Sequence, residues 1–222
     1  MNPTYIYTAL IDVLSYRYRL EQDRKSGTFS FKEDLEKALA VFDGVNSAVF
    51  GVQAISDTII LTCNTHDQFP EFLQILRDVF LAFLGRNLFI RGGVAYSKHF
   101  QSGKLTYSHA VARAYELENN VSIYPRIVID DNIIQMYNQT GKTLPQITSS
   151  GFLLRQNQVT FLDILTEEKW VEIYELAKAL YQKDKTELTE SAFSKHLWFE
   201  NYLLSSCYAK NDIKYIESIL PI

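Results

Sequence analysis

Hydrophobic positions in the first 130 residues recur with two different periods. Residues 4–14 form a nearly continuous run of β-branched, aromatic and aliphatic side chains, which predicts a buried strand. In residues 29–43 the apolar side chains Phe31, Leu35 and Leu39 recur in steps of four, which predicts a helix. The same criteria predict further strands at 47–55, 58–63, 88–97 and 123–129, and further helices at 70–84 and 106–118.

The order of these elements is β-α-β-β-α-β-α-β, which begins with the βαββαβ unit of ferredoxin-like folds. We therefore predict an α+β domain over residues 1–135. Residues 21–28 and 135–151 are polar or rich in turn residues and predict loops. Helical patterns return at 166–183 and at about 191–206. Residues 136–222 are thus predicted to be a mostly helical extension packed on the same core.

Composition narrows the class of protein without naming a function. The chain has 222 residues, is 47% hydrophobic and carries a net charge of −4, as expected for a folded globular protein. Acids outnumber bases, which argues against a nucleic-acid-binding face. No signal peptide and no apolar run of about 20 residues is visible. We expect a cytoplasmic protein without a membrane or nucleic-acid partner.

Two aspartates stand at the ends of predicted strands. Asp12 is near the end of the first strand, and Asp57 is in the tight Ser56-Asp57 turn of a predicted hairpin. If the first strand runs antiparallel to the strand after Asp57, both carboxylates converge at one edge of the sheet. Two carboxylates at such a short distance repel each other unless a cation binds between them, and Mg²⁺ prefers oxygen ligands of this kind. Two metal ions held by shared aspartates would suit attack on a phosphate.

Simpler interpretations stand beside these. Asp12 alone could face solvent at a strand end, and Asp57 alone is a favoured turn residue. The tripeptide at 91–93, Arg-Gly-Gly, lies inside a predicted strand, where two glycines allow close approach of another backbone. The two cysteines are far apart and the four histidines show no metal-ligand spacing.

Three segments together resemble the catalytic domain of class III nucleotidyl cyclases, the adenylate and guanylate cyclase family. The segment around Asp12, ALIDVLSYR, resembles the family's first metal-binding strand, F-x-D-I-x-G-F-T. The segment ISDTIIL around Asp57 resembles the second, and FIRGGVAY with SHAVARAYELE resembles R-x-G-I-x-x-G through G-x-x-V-N-x-A-x-R-L-E. The resemblance spans about residues 4–135. It is nearest to short stand-alone bacterial cyclase-like proteins, some relatives of which are pyrimidine cyclases of anti-phage signalling.

The resemblance implies a metal site. Asp12 and Asp57 match the family's metal-binding aspartates, and the carbonyl of Val13 matches a further metal contact. Two Mg²⁺ or Mn²⁺ ions are then implied as cofactors, a nucleoside triphosphate as substrate and a head-to-tail homodimer as the assembly. Arg17 stands at the family's phosphate-contacting Thr.

The resemblance also shows where this sequence departs from the family. Gln53 and Leu105 replace the Lys and Asp that read the base, so ATP is not the assured substrate. Ala112 and Glu116 replace the Asn and Arg that stabilise the transition state. Nearby cations, with Arg91 and Arg113 among them, are candidate substitutes for binding the substrate.

Three hypotheses remain open from the sequence. The first is a divergent nucleotidyl cyclase that makes a 3′,5′-cyclic nucleotide, with a role in bacterial defence signalling. The second is a catalytically degenerate cyclase-like module that binds a nucleotide or a protein without turnover, which the loss of the Asn and Arg favours. The third is a ferredoxin-like structural domain without a site.

Overall fold

The computed structural model describes residues 4–102, 105–140 and 151–216. The strands are β1 (Thr4–Val13), β2 (Phe50–Ile55), β3 (Thr58–Cys63), β4 (Ile90–Ser102), β5 (Leu105–Ser108), β6 (Ile127–Ile129), β7 (Leu153–Gln156) and β8 (Val159–Leu162). The helices are α1 (Tyr16–Ser26), α2 (Ser30–Leu39), α3 (Phe69–Leu84), α4 (His109–Asn120), α5 (Asp131–Thr140), α6 (Trp170–Asp184) and α7 (Glu190–Leu204). Within these ranges no helix has both the length and the apolar character needed to cross a membrane.

The strands form one mixed sheet in the order β2-β3-β1-β4-β6-β8-β7, with β5 paired to the outer half of β4. β1 lies between β3 and β4 and is antiparallel to both, while β4 and β6 are parallel. The order β2-β3-β1-β4, together with the helices that connect these strands, is that of a ferredoxin-like βαββαβ unit. The predicted α+β fold class is confirmed.

The sheet buries its two faces against different helices. On one face Tyr7, Ile11 and Phe80 belong to the large core formed with α3, α6 and α7. On the other face Leu10 packs against α4 in a small cluster that includes Leu117. Because β1 residues alternate between these faces, the side chain of Asp12 emerges on the α4 face, two positions after Leu10.

Glycine sets how closely α4 approaches the sheet. A Cβ on Gly93 of β4 would lie 2.5 Å from the carbonyl oxygen of Ala114 and 2.5 Å from the Cβ of Leu117. This contact gives the close backbone approach that the glycine pair predicts. It also fixes the height of the last turn of α4 above the sheet, where Glu118 lies.

The extension after residue 135 contributes to the sheet as well as covering it. β8 pairs with β6, and β7 pairs with β8, so two short unpredicted strands lengthen the sheet at this edge. Trp170 of α6 donates from Nε1 to the carbonyl oxygen of Leu203 of α7 at 2.9 Å, which joins the two predicted helices. The proposed division at residues 135 and 136 stays a prediction.

Several local predictions were wrong for identifiable reasons. The predicted loop at 21–28 is mostly the end of α1, a helix without a buried residue and therefore without an apolar stripe to reveal it. Residues 135–140 are helical rather than loop-like, and residues 141–150 lie outside the described ranges. The predicted strand at 123–129 is only β6, since Ile123 is 55% exposed and the chain joins the sheet at Ile127.

Candidate active site

The turn that carries Asp57 lies beside Asp12 at the end of β1. β1 and β3 pair antiparallel with Asp12 opposite Thr58, the residue after Asp57. The backbone N–H of Val13 donates to the carbonyl oxygen of Asp57 at 3.0 Å, which ties the hairpin turn to the end of β1. The antiparallel arrangement on which the convergence of the two aspartates depends is therefore present.

A third carboxylate and one arginine complete this cluster. Arg91 stands opposite Asp12 on β4, and its Nε lies 3.4 Å from Oδ2 of Asp12. Its Nη2 lies 2.6 Å from Oε1 of Glu118 on α4, and its Nη1 donates to the carbonyl oxygen of Ser122 at 3.4 Å. The side chain of Glu118 is only 5% exposed. Two carboxylates thus contact one guanidinium group, and Asp57 lies close enough to raise the pKa of both of them. We call these four residues the carboxylate cluster (Asp12, Asp57, Glu118 and Arg91).

Burial disfavours ionisation in this cluster. Burial raises the pKa of Asp12, and the neighbouring Asp57 raises it further, while Arg91 opposes both effects. Burial likewise raises the pKa of Glu118, which Arg91 lowers and both aspartates raise. The cluster carries more negative charge than its own arginine neutralises, so a further cation would stabilise the ionised form.

The oxygen atoms of this cluster are of the chemical type that binds a hard divalent cation. Carboxylate and carbonyl oxygens are the ligands that Mg²⁺ and Mn²⁺ prefer. Asp12 and Asp57 are partly exposed, and Arg91 contacts Asp12 at the longer of its two ion-pair distances. Among the residues that the structure describes, no three His, Cys, Asp or Glu side chains form a group that could hold a metal ion. Any metal site here would rest on two side chains and on backbone or substrate oxygens.

A wide groove lies on the same face of the sheet as Asp12. It has a volume of about 840 Å³ and runs between β2, β3, the β4–β5 hairpin and α4. Leu10 forms part of its floor, two residues before Asp12 on the same face of β1. Gln53 of β2 and Ala112 of α4 also line the groove. The carboxylate cluster therefore lies beyond the groove, toward the C-terminal end of β1.

The remaining predicted residues do not all meet in the groove. Leu105 is exposed on β5, and it alternates with Thr106, which lines the groove, so its side chain points to the other face of the hairpin. Arg17 is exposed in the first turn of α1 and forms no ion pair with a described residue. Its role and that of Leu105 stay predictions.

Arg113 faces away from the groove. Its Nε lies 2.8 Å from Oδ2 of Asp130, a nearly buried carboxylate, and its Nη1 lies 3.0 Å from Oε2 of Glu116. These two hydrogen bonds raise the pKa of Arg113. The arginine therefore neutralises Glu116 and joins α4 to the end of β6, while substrate binding by Arg113 stays a prediction.

The sequence did not reveal the role of Glu118. It stands at the end of the helical segment that resembles the cyclase family, but a glutamate in the last turn of a helix usually faces solvent. Only the pairing of β1 with β4 and the close packing of α4 on Gly93 bring it to Arg91. The pattern of the sequence carries no signal for that contact.

Comparison with known proteins finds likenesses of structure alone. No family model and no curated protein matches the sequence. A bacterial light-regulated adenylyl cyclase structure is 12% identical, covers 81% of this chain and 100% of its own, and has a TM-score of 0.48. The guanylate cyclase domain of RhGC from Catenaria anguillulae in complex with GTP is 14% identical, covers 73% of this chain and 98% of its own, with a TM-score of 0.46.

A monomeric guanylyl cyclase domain of the RhoGC fusion protein from the aquatic fungus Blastocladiella emersonii gives a similar result. It is 13% identical, covers 72% of this chain and 94% of its own, and has a TM-score of 0.47. At such identities and scores the basis for a functional proposal is the chemistry of the residues themselves.

Proposed function

We propose that the chain is a divergent nucleotidyl cyclase that converts a nucleoside triphosphate into a 3′,5′-cyclic nucleotide and pyrophosphate. The observation that carries the proposal is the strand pairing and the backbone hydrogen bond that bring the Ser56-Asp57 turn beside Asp12, which lies two residues along β1 from the open groove. The groove has room for a nucleotide, and the carboxylate cluster beyond it would receive the phosphates together with metal ions. Such an arrangement brings a sugar hydroxyl and an α-phosphate into one place.

The residues of the chain have separate tasks in this proposal. Asp12, Asp57 and the carbonyl of Val13 would hold one or two Mg²⁺ or Mn²⁺ ions, which supply positive charge for the phosphates and the attacking 3′-oxygen. Arg17, which lacks an acidic partner among the described residues, would bind the triphosphate. Its place in the first turn of α1 supports this, because a cation there opposes the helix dipole unless an anion is near. Gln53 would hydrogen-bond the base edge.

A head-to-tail homodimer is part of the proposal. The two α4 positions that match the family's transition-state residues provide neither an amide donor nor a net cation, because Ala112 is apolar and Glu116 is paired with Arg113. The groove also exposes apolar side chains, with Val52 41% and Tyr115 55% exposed. A second subunit would cover these groups and close the site to water. A cytoplasmic location and a role in bacterial defence signalling remain predictions of the same hypothesis.

The alternative function is a nucleotide- or protein-binding module without turnover. One observation favours it specifically. Arg91 occupies the space between Asp12 and Glu118 and neutralises part of the charge that would otherwise attract metal. A degenerate site of this kind would bind a nucleotide but lack the donors that stabilise a transition state.

The test combines turnover and binding on the same preparation. The protein is incubated with ATP, GTP, CTP or UTP and Mn²⁺, and cyclic nucleotide and pyrophosphate are measured. A cyclic product from at least one triphosphate is expected. If none gives product while calorimetry shows metal-dependent nucleotide binding, the binding module is the better account. Absence of both product and binding from a folded protein would leave a structural domain.

A further inference from the structure

The extension places a lysine near the neighbouring ends of β1 and β4. His196 of α7 lies with its ring 5.0 Å from the ring of Phe89, two residues before Arg91. The backbone of Phe89 in turn accepts a hydrogen bond from the N–H of Leu14 at 2.9 Å. Helix α7 is therefore packed directly against the ends of β1 and β4 that carry Asp12 and Arg91.

Lys195 precedes His196 and lines a small cleft together with Leu14 and Ser15. Leu14 and Ser15 directly follow Asp12 and Val13 in the chain, so the cleft opens beside the turn that leaves the carboxylate cluster. The charge of Arg91 reaches Lys195, since burial first and Arg91 second lower the pKa of the lysine. Lys195 therefore lies within electrostatic range of Arg91, one member of the carboxylate cluster.

The ammonium group of Lys195 lacks an acidic partner within the described residues. Its Nζ donates only to the carbonyl oxygen of Ser191 at 3.1 Å and to the Oγ of Ser191 at 2.9 Å. The one carboxylate that lines the same cleft, Asp184, is held at both oxygens by Nη2 of Arg19 at 2.9 and 3.1 Å. A half-buried cation in this state is stabilised by an anionic ligand.

We propose that Lys195 binds the polyphosphate tail of the substrate at the end of β1. The proposal rests on the proposed function for the identity of the substrate, but its chemistry requires only a polyphosphate anion. Lys195 then supplies, from outside the βαββαβ unit, positive charge that α4 does not provide at Glu116. The extension would accordingly form part of the binding site as well as cover the core.

Calorimetric titration with tripolyphosphate and Mg²⁺ tests this without any turnover. Lys195→Met should weaken binding by about tenfold or more, since a charge-assisted hydrogen bond is lost. Lys195→Arg should bind within about threefold of the wild type, because it keeps the charge. Lys178→Met is the matched control, as it removes one charge from an exposed position on α6 and should leave binding unchanged.

Wild-type affinity in Lys195→Met, or no tripolyphosphate binding by the wild type, would overturn this role for Lys195. Its outcome is separable from that of the cyclase proposal. A chain that turns over a triphosphate with Lys195→Met fully competent would keep the cyclase and reject the lysine. If the chain shows no turnover but binds tripolyphosphate through Lys195, the cyclase proposal is rejected and the role of Lys195 is kept.

Discussion

Arg91 holds the carboxylate cluster together, and Arg91→Met tests that role most sharply. The substitution keeps much of the side-chain volume but removes the one cation that contacts Asp12 and Glu118 among the residues the structure describes. Glu118 is then a carboxylate with 5% of its side chain exposed and without a cationic partner in the described part of the chain. Breaking a buried ion pair from one side costs about 3–5 kcal/mol. The partly exposed contact with Asp12 adds at most about 1 kcal/mol.

The loss should be visible in thermal and urea unfolding at neutral pH. For a chain of this size 1 kcal/mol shifts the melting temperature by about 2–4 °C, so a loss of about 3–5 kcal/mol should lower it by about 6–20 °C. The double variant Arg91→Met with Glu118→Gln removes the buried charge as well as its partner. It should recover most of the lost stability, which a double-mutant cycle measures directly.

The pKa of Glu118 determines how the stability of the chain should change with pH. The folded-state pKa of Glu118 is already raised by burial, so the folded chain retains a proton that the unfolded chain releases. Its contribution to stability is therefore greatest at low pH and falls as pH rises through the raised pKa. Without Arg91 that pKa rises further. The deficit of Arg91→Met should shrink as pH is lowered toward about 5, where model glutamates begin to protonate. A loss below about 1 kcal/mol at pH 7, or a deficit independent of pH, would refute this reasoning.

Three other expectations follow from particular contacts. Gly93→Ala places a Cβ 2.5 Å from the carbonyl oxygen of Ala114, so urea unfolding should show a loss of about 1–3 kcal/mol, and unchanged stability would exclude the close packing. Glu200 accepts the N–H groups of Tyr215 and Ile216 at 2.6 and 2.7 Å, so Glu200→Ala should cost about 2–4 kcal/mol in the same assay. Glu200→Gln, which keeps a carbonyl acceptor, should cost less, and equal losses would contradict this account. Because burial raises the pKa of Asp12, calorimetry should show Mn²⁺ affinity falling with decreasing pH before an ordinary aspartate titrates, and constant affinity would argue against metal binding by Asp12.

The parts of the fold that sequence patterns predict are those with a buried face. β1 buries a continuous run of side chains and β3 buries alternate ones, while α3 buries an apolar face along most of its length. Each of these elements therefore has a recognisable pattern of apolar positions in the sequence. α1 has no buried residue and β5 is exposed at three of its four positions, so neither leaves a pattern. β7 and β8 have four residues each, too few for a period to be recognised.

The site shows the same division. The strand pairing that brings the turn of Asp57 beside Asp12 was predictable, because antiparallel pairing of adjacent strands determines which of their ends meet. The ion pair of Arg91 with Glu118 joins β4 to the far end of α4, and the position of Lys195 depends on how α7 packs on Phe89. Both contacts are made by tertiary packing between elements distant in sequence. Neither can be read from local spacing.

The central claim is that Asp12 and Asp57 form a catalytic pair for phosphoryl chemistry. The most direct measurement compares the rate of cyclic nucleotide formation by the wild type, Asp57→Asn and Asp43→Asn with Mn²⁺ and the triphosphate that the wild type accepts. Asp43 is an exposed aspartate in a turn after α2 and serves as the matched control. Asp57→Asn should lower the rate by about 100-fold or more while its melting temperature is maintained, and Asp43→Asn should match the wild type. A folded Asp57→Asn variant with wild-type turnover would contradict the claim.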